Sequence, residues 1–68
     1  MELAAAARAA IAALPERCRT AYTLRRHHDL SYSEIAAAMG TSVHTVNAQL
    51  GRAFAALRRA VAQWRGDE

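Results

Sequence analysis

The chain has 68 residues, a formal net charge of +3 and a single cysteine, Cys18. This length allows one small domain, residues 1–68, and a lone cysteine cannot form an internal disulfide, so we expect a reducing, cytoplasmic setting. Much of the 53% hydrophobic fraction is alanine, which favours helix but buries little area. With one proline and three glycines, the composition predicts an all-α fold.

Export signals, membrane spans and catalytic sites are not expected. The N-terminal run begins with an acid, Glu2, and lacks the basic start and leucine-rich core of an export signal. No apolar run reaches membrane-spanning length. The adjacent His27 and His28 would project about 100° apart on a helix, and no second cysteine completes a metal site. We therefore expect neither an enzyme nor a bound metal or cofactor.

Two helices separated by a proline are predicted in the first half of the chain. Residues 2–14 form an alanine-rich helix that ends at Pro15, because proline has no amide hydrogen and a fixed φ. Pro15 also suits the first position of a second helix, expected over about residues 15–28. Leu30, in the connector that follows, should fill the space between helices. The second helix should bury Cys18, Ala21, Tyr22 and Leu24.

A helix-turn-helix is predicted over about residues 31–57. Ser31 and Glu34 have capping-box spacing, which starts a third helix. Gly40 ends it, because glycine readily adopts the left-handed conformation of a helix stop. Ser42 then suits the N-cap of a fourth helix, which has no stop signal before Gly66 and would be roughly 35 Å long. Its predicted apolar face consists of Val43, Val46, Leu50, Phe54, Leu57 and Val61.

The fourth helix has the pattern of a recognition helix. The small Ala36 opposite Val46 would let the third and fourth helices cross closely. The face opposite Val46 and Leu50 is polar over its first two turns. Asn and Gln can pair with adenine, and Arg with guanine or phosphate. The candidate DNA-binding residues are Ser31, Ser42, His44, Thr45, Asn47, Ala48, Gln49 and Arg52.

All nine basic residues are arginine, and most lie in two stretches. Residues 15–28 hold four arginines against one acid, residues 43–66 hold four with none, and Asp67 and Glu68 are the last two residues. Arginine suits phosphate because its planar fork donates two hydrogen bonds at once. The alternative is a solvated face that keeps the domain soluble. The candidate phosphate contacts are Arg25, Arg26 and Arg59.

Several of these motifs occur together at a specific spacing. They are Leu14-Pro15-Glu16-Arg17, Leu24-Arg25, Leu30-Ser31-Tyr32-Ser33-Glu34-Ile35-Ala36, Met39-Gly40, Ser42-Val43-His44-Thr45-Val46 and Leu50-Gly51-Arg52-Ala53. The set resembles region four, the C-terminal domain of bacterial sigma factors, specifically of the extracytoplasmic-function group, over about residues 9–59. The resemblance implies a four-helix domain that reads the −35 element of double-stranded promoter DNA and docks on the flap of the RNA polymerase β subunit. We also expect the domain to be a monomer. In many members an anti-sigma factor masks the domain.

The chain departs from the family pattern at six positions, two of which are His27 and Thr41, where the family more often has leucine and a branched apolar residue. The family usually has basic residues where Asn47 and Gln49 stand, commonly serine where Gly51 stands, and more often glycine where Asp29 stands. The loss of two positive charges weakens the phosphate anchor. A glycine inside the helix also costs up to about 1 kcal/mol relative to alanine.

Three functions remain open on this pattern. The first is promoter recognition within a polymerase holoenzyme. The second is an interaction module that binds polymerase or an anti-sigma factor and has weak DNA affinity. The third is the effector domain of a response regulator, which shares the Ser-x-His-Thr-Val turn, lacks the Leu-Pro-Glu-Arg opening and usually dimerises.

The first helix and the distal part of the fourth carry more apolar surface than two crossing helices need. An exposed patch of this kind is typical of a protein interface. The alternative is that Trp64 covers the first helix and closes the core. The distal apolar patch consists of Leu3, Ala7, Ile11, Phe54, Leu57, Val61 and Trp64.

Overall fold

The computed structural model describes residues 2–66, which form four helices and no strand. Asp67 and Glu68 lie outside this range. None of these helices is long and apolar enough to cross a membrane. The prediction of an all-α, four-helix fold is confirmed. The helices are α1 (Leu3–Ala12), α2 (Glu16–His27), α3 (Tyr32–Met39) and α4 (Val43–Arg65).

The first two helices are slightly shorter than predicted. The Glu2 carboxylate accepts a hydrogen bond from the Ala5 amide at 3.1 Å, so Glu2 caps α1 from outside it. Leu14 lies in the turn after α1, where it is buried. Pro15 has a ψ of 148°, which is outside the helical region, so it is the N-cap of α2 rather than its first residue. The prediction of Pro15 at the first helical position is therefore wrong by one residue.

The connector between α2 and α3 contains a residue in the left-handed region. Asp29 has φ 56°, a conformation that costs most side chains energy but that aspartate tolerates better. The Leu30 amide then donates to the Leu24 carbonyl at 3.3 Å. Leu30 packs against the buried cluster of α2, α3 and α4, as predicted.

Local caps define the helix-turn-helix as predicted. The Ser31 hydroxyl accepts from the Glu34 amide at 3.1 Å, and the Ser31 amide donates to Glu34 Oε1 at 2.7 Å. Gly40 has φ 66° and ψ 40°, and the next amide, that of Thr41, donates to the Ala36 carbonyl at 2.9 Å. This bond satisfies a carbonyl that the end of α3 would otherwise leave unpaired.

Two buried clusters meet along α4. The first joins α2, α3 and α4 and consists of Ala21, Ile35, Ala36, Val46 and Leu50. The second joins the α1–α2 turn, α2 and α4 and consists of Leu14, Cys18 and Ala53. Because α4 contributes to both, the other three helices are positioned against it.

The apolar face of α4 differs from the prediction at two residues. Val43 is 45% exposed and Phe54 is 38% exposed. At 100° per residue, Ala53 lies closer than Phe54 to the centre of the face marked by Val46, so alanine occupies the core position. The Phe54 ring instead lies edge-on to the Tyr22 ring, with centroids 6.3 Å apart and planes at 72°.

The distal half of α4 packs against α1, as predicted. The two helices run antiparallel, since Ala6 of α1 lies near Trp64 and Ala13 lies near Arg52. Trp64 is still 49% exposed. It therefore lies beside the first helix without closing the core.

Candidate nucleic-acid interface

The first half of α4 presents an exposed side opposite its buried side. Val46 and Leu50 are completely buried and hold the helix against α2 and α3. On the opposite side, at about 100° of rotation per residue, His44, Ala48 and Arg52 are exposed, and Asn47 is exposed at one edge of that side. We call these four residues the reading face.

Ser42 and Thr45 form the N-terminal cap of α4. The Ser42 hydroxyl oxygen accepts from the Thr45 amide at 3.0 Å, and its hydroxyl contacts Thr45 Oγ1 at 3.0 Å. No acid is present in the first turn of α4, so the partial positive charge of this helix end is not offset locally. Ser31 plays the equivalent capping role for α3 and is also exposed.

Gln49 lies closer to the buried side than predicted. It follows Val46 by three residues, which places it only about 60° from Val46 around the helix. The residue is half-buried, and its Oε1 atom is buried without a hydrogen-bond partner. The exposed reading face therefore does not include the Gln49 carbonyl oxygen.

The predicted phosphate contacts fall into two groups. Arg52 and Arg59 line one cleft beside the end of α1, together with Ala13. Arg25 and Arg26 line a different cleft, with Tyr22, Asp29 and Phe54 among its other lining residues. Arg52 and Arg59 thus line one cleft, and the two α2 arginines line another.

Arg25 makes intramolecular contacts. Its Nη1 donates to the Leu30 carbonyl at 3.0 Å, and its guanidinium carbon lies 5.9 Å from the centroid of the Tyr32 ring. At this distance the cation attracts the face of the ring. Arg25 therefore helps to fix the α2–α3 connector.

Two further arginines of α2 bind the ends of other helices. Arg19 Nη1 donates to the Ala12 carbonyl at 3.2 Å and to the Leu14 carbonyl at 3.0 Å. Arg17 Nη2 donates to the Met39 carbonyl at 2.7 Å. The sequence pattern indicated only that Arg17 and Arg19 belong to a basic stretch. The available signal was the set of unpaired carbonyls that every helix end leaves.

The Glu34 carboxylate takes part in the cap of α3. The amide and hydroxyl of Ser31 hold the pKa of Glu34 below its ordinary value of 4.5, because both hydrogen bonds favour the carboxylate. Within residues 2–66, no group of three histidine, cysteine or acidic side chains could hold a metal ion.

The family model for sigma-70, region 4 matches residues 4–57. This match covers α1, α2, α3 and α4 as far as Leu57. No curated protein and no solved structure matches the chain. Region 4 is a DNA-binding family rather than an enzyme family. The chain therefore belongs to the sigma-70 region 4 family, the helix-turn-helix domains through which sigma factors recognise promoter DNA in transcription initiation.

Proposed function

We propose that the chain reads the −35 element of promoter DNA as region four of an extracytoplasmic-function sigma factor. The main support is that α4 has one exposed and one buried side. The reading face is exposed, whereas Val46 and Leu50 are completely buried. A helix held in this way keeps its outer side chains in fixed register for a major groove. The motifs of residues 14–17 and 30–36 support the extracytoplasmic-function group.

The residues of the reading face have different proposed roles. Asn47 lies early in α4, where a helix entering the groove is nearest the bases, and its amide can pair with adenine. Arg52 lies further along, where a straight helix leaves the groove floor and meets the backbone. Arg59 shares the cleft of Arg52, so we assign both arginines to phosphates. His44 and Ala48 complete the reading face, and Ser31, Ser42 and Thr45 flank it at the two helix starts.

Salt-dependent binding tests this function. A duplex selected by the chain from a randomised pool at low salt would be titrated by fluorescence anisotropy at several salt concentrations. With three or four phosphate contacts, log K should fall against log salt with a slope of about −3 to −4, and affinity should be micromolar or weaker. Absence of binding at low salt, or binding that salt does not weaken, would favour the interaction-module function instead.

We propose that the distal apolar patch docks on the RNA polymerase β flap. Leu3, Phe54 and Trp64 are substantially exposed. Ala7, Ile11 and Leu57 line a cleft of about 350 Å³. This cleft is distinct from the one lined by Arg52 and Arg59, which supports simultaneous binding of DNA and polymerase. An anti-sigma factor would compete for the same patch.

Chemical-shift mapping with a flap-tip fragment tests the docking proposal. We expect perturbations on α1 and over residues 57–64, and little change at Asn47 or Arg52. Leu57→Asp should weaken the interaction, because it replaces an apolar side chain that lines this cleft with a charged one. Arg52→Ala serves as the matched control and should leave flap binding unchanged. Perturbations confined to residues 42–52 would contradict the proposal.

A further inference from the structure

Arg17, in the first turn of α2, binds the far end of α3. Its Nη2 atom donates to the Met39 carbonyl at 2.7 Å, across 22 positions of sequence. Met39 is the last residue of α3 and directly precedes the turn to α4. The Thr41 amide donates to the Ala36 carbonyl and the Gly40 amide donates to the Ala37 carbonyl, so the turn itself satisfies two carbonyls at this end. The Met39 carbonyl is bound by the guanidinium.

This contact supplements the sparse packing between α2 and α3. α3 packs less extensively on α2 than on α4, whereas α1 and α2 both pack extensively on α4. A cation at a helix C-terminus also interacts favourably with the partial negative charge of the unpaired carbonyls. The Arg17 contact therefore ties the end of α3 to a helix that is itself fixed to α4.

We propose that Arg17 is a positioning residue for DNA reading. It sets the orientation of the turn, and hence of the Ser42 cap and the first residues of the reading face, through the Met39 carbonyl rather than by binding phosphate. The proposal rests on the proposed function, because it concerns how accurately the reading face meets base edges. Accurate placement matters there, since a bidentate base contact depends on geometry more than a phosphate contact does.

Arg17→Met tests the proposal in the full chain. Methionine keeps an apolar stem of similar reach and removes the guanidinium. Arg8→Met is the matched control, because Arg8 lies on α1, is exposed and pairs only loosely with Glu2 at 3.7 Å. Both variants lose one charge. The readouts are affinity for the selected duplex, affinity for a scrambled duplex, and the salt slope for each.

We expect Arg17→Met to lower the ratio of selected to scrambled affinity about fivefold, with a salt slope within about 0.5 of the slope measured for Arg8→Met. Amide hydrogen exchange of the free protein supplies a second readout. Exchange at Gly40 and Thr41 should become about fivefold faster in Arg17→Met, and exchange in α1 should not change.

Two outcomes would overturn the positioning role. An unchanged affinity ratio with a salt slope reduced by about 1 would make Arg17 a phosphate contact. If the affinity ratio and the amide exchange at Gly40 and Thr41 are both unchanged, Arg17 does not position the turn. Failure of the proposed function is distinguishable, because wild-type protein would then show no preference for the selected duplex over the scrambled one.

Discussion

The same substitution, glycine to alanine, should have opposite effects on stability at Gly51 and at Gly40. A Cβ atom added at either position meets no other atom within 4 Å, so packing does not separate the two sites. The two sites differ in backbone conformation. Gly51 lies inside α4, whereas Gly40 has φ 66° in the turn before it.

The expected magnitudes follow from these conformations. Gly51→Ala should raise the free energy of unfolding by about 1 kcal/mol, the difference in helix propensity between the two residues. For a domain of this length, that corresponds to a rise in Tm of about 4–8 °C. Gly40→Ala places a Cβ in the left-handed region at a cost of about 1–2 kcal/mol, partly offset by about 0.4–1 kcal/mol from a less flexible unfolded chain. The net effect should be a loss of about 1 kcal/mol.

Urea denaturation followed by circular dichroism measures both variants on one scale. Equal m-values would show that the compactness of the unfolded state has not changed. If both variants shift the free energy of unfolding in the same direction, or if Gly51→Ala is destabilising, backbone conformation does not decide the effect at these two glycines.

Four other substitutions test the site, the core and a helix cap. Arg52→Ala should weaken binding to all duplexes about equally and reduce the salt slope by about 1, whereas Asn47→Ala should change which duplexes are preferred. Fluorescence anisotropy against a panel of duplexes measures both effects. The assignment is contradicted if Arg52→Ala changes the preference and Asn47→Ala weakens all binding equally. Leu50→Ala should cost about 2–5 kcal/mol, comparable to the whole stability of so small a core, so circular dichroism should show a largely unfolded chain. The lowered pKa of Glu34 means that its contribution to stability is present above about pH 4.5 and is lost as pH falls through the folded-state pKa. Thermal unfolding at about pH 6 and about pH 3 should therefore show a smaller acid loss for Glu34→Gln than for wild type, and an equal loss would contradict the capping role.

Features set by near neighbours were predicted well from the sequence. The capping box at Ser31 and Glu34, the stop at Gly40 and the cap at Ser42 each depend on groups within a few positions. Such contacts are encoded by residue type and spacing alone. The register of α3 and α4 followed from them, and with it the burial of Val46.

Features set by distant contacts were not predicted. The bond from Arg17 to the Met39 carbonyl spans 22 positions, and nothing in the local sequence distinguishes this arginine from one in solvent. The exposure of Phe54 and the partial burial of Gln49 agree with helix geometry instead, because Ala53 lies nearer than Phe54 to the centre of the buried face and Gln49 lies only about 60° from Val46. A stricter helical projection of α4 would have predicted both.

The reading face is tested most directly by mapping DNA onto the chain itself. Isotope-labelled protein would be titrated with the selected duplex and, separately, with its scrambled counterpart at the same salt concentration. We expect the largest amide and side-chain shifts at His44, Asn47, Ala48 and Arg52. The scrambled duplex should shift Arg52 but should shift Asn47 much less. Shifts centred on α1 and residues 57–64, or equal shifts at Asn47 with both duplexes, would contradict this expectation.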